Sequence, residues 1–323
     1  MRELAVGVVG LGFGANHARV LSEMAGVRLA AVCDTDAKRL AAVAGARGAR
    51  GYADYEAMLC QERLDALVIA APARLHEAVA LAAIEAGVAV LVEKPLAPSL
   101  AEGLRIAAAA AMAGVPLMPG HIERFNPAIQ ELARRVHAGE VGRVLQLTAR
   151  RTAPIVRRVQ QDVNVVHDSA LHDVDAMRWV AGGEVKRVFA EAQSGVIMPF
   201  EDSVAGLLRF ESGAVGSLEV TWLSPRRVRE LSVLGEKGLI VAGYADFRSP
   251  TLELQPFGAR EGVAIPIEPQ EPLAAELAAF VAAVRDGAPL LVTADDGLAA
   301  LAVCDALTQS ARTGRPVKPA PWR

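Results

Sequence analysis

The tripeptide Glu93-Lys94-Pro95 closes a run of small apolar residues, Val88-Ala-Val-Leu-Val92. Such a run reads as a strand buried on both faces, as in a parallel sheet. A cation at the carboxyl end of such a strand sits where open α/β sheets take their ligands. Pro95 removes the next ladder hydrogen bond and biases Lys94 towards an extended backbone. A second constellation is Asp168, His172 and Asp175, whose i, i+4, i+7 spacing predicts one shared helical face. Ala170, Val174, Met177 and Ala181 then form the opposite, core-facing stripe. A histidine with a carboxylate one turn away suits general acid–base work near neutral pH. The same spacing also fits an ordinary amphipathic helix with acids near its positive end, and the residues alone leave both readings open. Metal ligation by His172, Asp168 and His121 has the least support, because the chain has neither HExxH nor a cysteine pair.

A third constellation lies at the start of the chain. Leu4-Ala-Val-Gly-Val-Val9 reads as an apolar strand, and Gly10-Leu-Gly-Phe-Gly14 follows at once. Ala15 to Met24 has helical character, and Arg28 to Cys33 is a second strand ending at Asp34. Gly10 permits a tight turn, and Gly12 lets backbone N–H groups approach a pyrophosphate at the helix N-terminus. Asp34 can accept both hydroxyls of an adenosine ribose and would repel a 2′-phosphate, which predicts NAD rather than NADP. No arginine follows Asp34 directly, although Lys38 and Arg39 lie a turn into the next helix. The third position of the usual glycine fingerprint is Ala15, and the third glycine falls one residue early, at Gly14.

The elements that must position these residues alternate in type. Leu64 to Ala70 reads as a strand, Leu75 to Ala86 as a helix, Leu100 to Ala113 as a helix and Val115 to Met118 as a strand. Strand–helix alternation at this spacing predicts an α/β fold with a doubly wound parallel sheet over residues 1–120. Ala70-Ala71-Pro72 then runs over the cofactor, while His76 reads as a helix-face residue. Beyond Gly120 the pattern changes to alternating strands with turn signals at Gly213, Gly235 and Gly238. Residues 121–323 are therefore expected to form an α+β domain with a largely antiparallel open sheet. Gln146, Thr148, Ser217, Glu219, Thr221 and Ser232 would share a face that carries little charge for a wet surface. Such a face predicts sheet-to-sheet pairing into a homodimer or homotetramer. The basic cluster Arg150, Arg151, Arg157 and Arg158 fits a pyrophosphate or, equally, a solvated loop.

Composition excludes several classes. The chain has 323 residues, enough for two domains, and a net charge of −3, which offers no nucleic-acid or membrane surface. Three cysteines without CxxC spacing give neither a disulfide framework nor a zinc site. The first strand begins within four residues of the start, leaving no room for a signal peptide, and no apolar run is long enough to span a bilayer. A cytoplasmic globular protein is expected.

Together, Gly10-Leu-Gly-Phe-Gly-Ala-Asn-His17, Asp34, Glu93-Lys94-Pro95 and Asp168-x-x-x-His172 resemble the Gfo/Idh/MocA family of nicotinamide-dependent sugar and cyclitol dehydrogenases. The resemblance implies cofactor contacts from Gly10, Gly12, Phe13, Gly14, Asp34, Ala71, Pro72, His76, Glu93 and Lys94. It implies that Lys94 and His172 flank the substrate carbon, that Asp168 tunes the histidine, and that the bond before Pro95 is cis. Gly120-His-Ile-Glu-Arg-Phe-Asn-Pro127 with Asp162-Val-x-Val-Val-x-Asp168 further resembles the branch acting on UDP-N-acetylhexosamines as 3-dehydrogenases. That likeness implies substrate contacts from Arg124, Asn126 and Arg151 besides Lys94, Asp168 and His172. Within the second motif, Asn164 stands where glycine is expected and His167 is an unusual neighbour for Asp168. A non-catalytic NAD-sensing regulator on the same fold is the alternative. Retention of Lys94, Asp168 and His172 argues against it.

Overall fold

The computed structural model describes residues 3–154 and 163–323. The first sheet contains β1 (Leu4–Val9), β2 (Val27–Cys33), β3 (Arg50–Tyr52), β4 (Ala66–Ile69), β5 (Ala89–Glu93) and β6 (Leu117–Gly120). They lie in the order β3-β2-β1-β4-β5-β6, all parallel. Central strands β1, β4 and β5 are buried along their whole length, as helices on both faces of a parallel sheet require. The crossovers carry α1 (Gly14–Glu23), α2 (Ala37–Arg47), α3 (Tyr55–Gln61), α4 (His76–Glu85) and α5 (Leu100–Ala113). Strand order reverses between β1 and β4, and a doubly wound sheet takes its dinucleotide at that switch point.

The second sheet follows α6 (Pro127–His137). Its strands are β7 (Val144–Pro154), β8 (Val185–Ser194), β9 (Glu201–Phe210), β10 (Val215–Thr221), β11 (Leu223–Gly235), β12 (Gly238–Gly243), β13 (Thr251–Pro256) and β14 (Val263–Ala264). They run in the order β14-β13-β12-β11-β7-β10-β9-β8, antiparallel except for the parallel pair of β7 with β10. A π-helical turn, Val166–Ala170, leads directly into α7 (Leu171–Ala181). One sheet face is core: Leu218, Ala149, Leu231 and Ala242 stand in register and are buried. Helix α7 packs on it closely enough that a Cβ at Gly216 would lie 2.6 Å from the Met177 methyl group. On the other face, Leu207, Ser217, Thr148, Ser232 and Val241 form one row. The register thus puts the weakly charged residues expected to share a face, Gln146, Thr148, Ser217, Glu219, Thr221 and Ser232, together on that side.

Helices α8 (Pro272–Asp286) and α9 (Ala294–Thr313) end the fold. Two compact units are each drawn from two stretches of chain: Met1–His121 with Leu273–Leu298, and Ile122–Pro272 with Ala299–Arg323. The return of Leu273–Leu298 to the first unit has no counterpart in the sequence pattern, which placed both closing helices with residues 121–323. Among the described residues, no helix is long and apolar enough to cross a membrane.

Candidate active site

The first unit builds a nucleotide cradle at the end of β1. Gly10 has φ +85°, and a Cβ there would lie 2.5 Å from the Ala71 backbone, so only glycine lets the turn lie against the chain leaving β4. At Gly12 a Cβ would meet nothing within 4 Å, which leaves the backbone open to a ligand. Gly14 is the first residue of α1, and a Cβ there would touch Val8 at 3.1 Å and Ala70 at 3.2 Å. Gly14 therefore allows the close helix–strand packing ordinarily assigned to a glycine one residue later. Phe13, the N-cap residue, supplies no side-chain cap, so the leading N–H groups of α1 suit a pyrophosphate. Leu11 N donates to Asp34 Oδ2 at 2.7 Å, tying the turn to the end of β2. These features fit a dinucleotide.

Glu93 and Lys94 stand at the end of β5, with a cis bond between Lys94 and Pro95. Glu93 is buried, with His17 Nε2 at 2.9 Å from Oε1 and the Lys94 amide donating to Oε2 at 3.0 Å. Burial alone would raise its carboxyl pKa; the hydrogen bond and charge of His17, with Lys94, outweigh that and hold it below the ordinary value. His17 belongs to α1, so this pair joins the helix of the cradle to the segment bearing the lysine. It was missed as a partner in the sequence, where only its place in the glycine motif stood out. His76, expected on a helix face and as a cofactor contact, is buried. Its Nδ1 lies 2.8 Å from the Pro95 carbonyl oxygen and its Nε2 2.9 Å from that of Ala71. His76 braces the two loops beside Pro72 and Lys94.

In the second unit, Asp168 lies in the π turn and His172 in the first turn of α7, both half-buried. Asp168 Oδ2 accepts from Ser169 Oγ at 2.8 Å, and that hydroxyl accepts from Trp222 Nε1 at 3.0 Å. Asp175 does not join Asp168 and His172 as a half-buried group of a shared face: it is buried against Arg124. Asn164 and His167 also gain a reason: His167 lies between Asn164 Oδ1 at 2.9 Å and Asp305 Oδ1 at 2.8 Å, and pins the turn to α9.

Arg124, Asn126 and Arg151, expected to touch substrate, meet in a buried polar network. Arg124 donates through Nε and Nη2 to both Asp175 oxygens, at 2.9 and 2.7 Å, with its guanidinium 5.7 Å from the Trp179 ring centre. Arg151 donates to Asp173 Oδ2 at 2.7 Å and to Glu123 Oε1 at 2.9 Å. Asn126 caps α6 and donates to Glu123, while Tyr244 OH donates to Asp173 at 3.0 Å. Burial would raise the Glu123 carboxyl, but Arg151 and Arg229 overcome this and hold it below the ordinary glutamate value. Arg150 points to the other sheet face and pairs with Glu219 at 3.0 Å. Arg157 and Arg158 lie outside the described residues.

A glycine-lined cradle at the switch point, a strand-end lysine, and an acid–histidine helix on an α+β unit define a dinucleotide-dependent oxidoreductase. Residues 4–121 match the model of the oxidoreductase family with an NAD-binding Rossmann fold, and residues 129–241 match the GFO/IDH/MocA C-terminal domain. The chain belongs to the Gfo/Idh/MocA family and is an NAD-binding oxidoreductase. It is 34% identical over 331 residues to inositol 2-dehydrogenase 2 of Saccharopolyspora erythraea, covering 98% of this chain and 96% of that protein. The WlbA dehydrogenase of Bordetella pertussis, solved with NADH and UDP-GlcNAcA, superposes with a TM-score of 0.87 at 28% identity, covering 99% of each chain. UDP-N-acetylglucosamine 3-dehydrogenase GnnA of Acidithiobacillus ferrooxidans gives 0.85 at 27% identity, covering 96% of this chain and 98% of its own.

Proposed function

We propose that this protein oxidises a secondary alcohol of a sugar or cyclitol, and that its substrate is a UDP-N-acetylhexosamine attacked at carbon 3. One observation carries the finer reading. Gly120–Pro127, one of the two segments on which the branch resemblance rests, is joined by the Arg124–Asp175 fork to α7, the helix that follows the other, Asp162–Asp168. Glu123 of the first segment and Asp173 of α7 share Arg151. They behave as one physical unit. The likeness to WlbA and GnnA supports the same reading.

The bound nicotinamide supplies the hydride acceptor. Gly10, Gly12, Phe13, Gly14 and Asp34 hold the dinucleotide, with Ala71 and Pro72 alongside. His172 accepts the proton of the substrate hydroxyl as general base. The Lys94 ammonium stabilises the developing alkoxide, a contribution that needs a donor aimed at the oxygen. Asp168, steadied by Ser169 and Trp222, orients the imidazole. Buried ion pairs at Asp173 and Asp175 anchor α7, so the histidine is carried on a rigid element.

A cyclitol substrate is the second reading, favoured by the inositol 2-dehydrogenase relative and by the commitment of Arg151 to buried carboxylates. The test is reduction of NAD, read at the reduced-nicotinamide absorbance band, with UDP-N-acetylglucosamine, its uronic acid and myo-inositol. Turnover of the UDP sugars supports the first reading. Turnover of myo-inositol alone overturns it in favour of the second. NADH binding without turnover of any alcohol would return the regulator.

A further inference from the structure

Asp34 is the acceptor an adenosine ribose would use, yet its carboxylate is fully engaged. Oδ2 accepts from Leu11 N at 2.7 Å and Arg39 Nε at 2.9 Å. Oδ1 accepts from Asp36 N at 2.8 Å and Arg39 Nη2 at 2.9 Å. Four donors fill the roughly four lone-pair positions of a carboxylate. Two of these donors are backbone groups, fixed by the glycine turn and by the entry to α2. The other two belong to one side chain, which is 44% exposed where Asp34 is 6% exposed.

We propose that Arg39 is the residue that sets discrimination between NAD and its 2′-phosphorylated form. The fork and the ribose hydroxyls compete for the same oxygens of Asp34, so NAD binds by displacing the guanidinium. A 2′-phosphate would be repelled by Asp34 but would receive that same guanidinium, whose planar fork matches phosphate oxygens. Arg39 therefore works against NAD and for NADP, in opposition to Asp34. The Asp36 carboxylate lies 3.9 Å from Arg39 Nη1 and gives the displaced side chain a second place to rest. The absence of an arginine directly after Asp34 is thus no guide to selectivity, because α2 carries one back from five residues on.

The inference rests on Gly10–Asp34 holding the dinucleotide. Its test is direct titration of the full chain with NADH and with NADPH, for wild type, Arg39→Ala and Arg39→Gln. An ion pair whose arginine is 44% exposed is a weak competitor. Both variants should therefore bind NADH up to about fivefold more tightly, about 1 kcal/mol. Loss of a charge-assisted phosphate contact should weaken NADPH about tenfold or more. NADH affinity that is unchanged or weaker in the variants, as adenine stacking by Arg39 would give, overturns the assignment while leaving the cradle intact. A wild-type protein that binds neither dinucleotide would bring down both.

Discussion

Arg151→Met separates the two tasks that can be given to this arginine. Its side chain is 7% exposed, between Asp173 at 0% and Glu123 at 4%, and it donates to each. Methionine fills much of the volume but leaves two carboxylates without their shared cation. Tyr244 would still donate to Asp173, and Arg229 would still reach Glu123 at 3.2 Å, so neither acid would be wholly abandoned. Breaking a buried ion pair from one side costs about 3–5 kcal/mol. For a domain of about 150–250 residues that corresponds to a fall in Tm of roughly 6–20 °C. Urea unfolding and scanning calorimetry without substrate should show this loss. Arg151→Lys should fall in between, because an ammonium cannot fork to both acids. A change below about 1 kcal/mol, joined to a raised KM, would refute the structural reasoning and make Arg151 a substrate ligand.

Two further outcomes follow from the second unit. Glu123 and Glu201 are both held below the ordinary glutamate value of 4.5, so their stabilisation is present above that value and lost as pH falls through the lower folded one. Urea midpoints should stay level from neutrality to about pH 5 and drop below it, with a shallower acid slope in Glu123→Gln; an unchanged slope would clear Glu123 of the effect. Leu207 is 53% exposed in the weakly charged sheet row, so light scattering should give a dimer or tetramer for wild type and a smaller species for Leu207→Lys. A wild-type monomer at micromolar concentration would sink the pairing.

Much of the first unit was legible because its signals are local. Gly10 and Gly12 sit between an apolar strand and a helix, and the buried runs of β1, β4 and β5 mark themselves. The stretch of α2, β3 and α3 was not legible: α2 buries no residue, so it shows no apolar stripe, and β3 has three residues. Arg39 could be placed only a turn into the next helix, in principle within reach of a phosphate, because nothing in its spacing tells which rotamer reaches back to Asp34. The burial of Arg151, Asp173 and Arg124 was hidden in the same way. Charged residues are normally exposed, and the partners that let these three be buried lie 22 to 51 positions away. The π turn was invisible too, since an i, i+4 pattern is read with a regular helix in mind.

The central claim is that this chain transfers hydride from an alcohol to NAD with Lys94 opposing the alkoxide charge. Lys94→Ala tests it most directly, with turnover and the Kd of NADH measured side by side with wild type on the substrate found by the alcohol panel. The account predicts turnover lower by about a hundred- to a thousandfold, the usual cost of one such donor. It predicts a Kd for NADH within about twofold of wild type, because the interaction lost is made only in the transition state. Near-normal turnover in Lys94→Ala would contradict it.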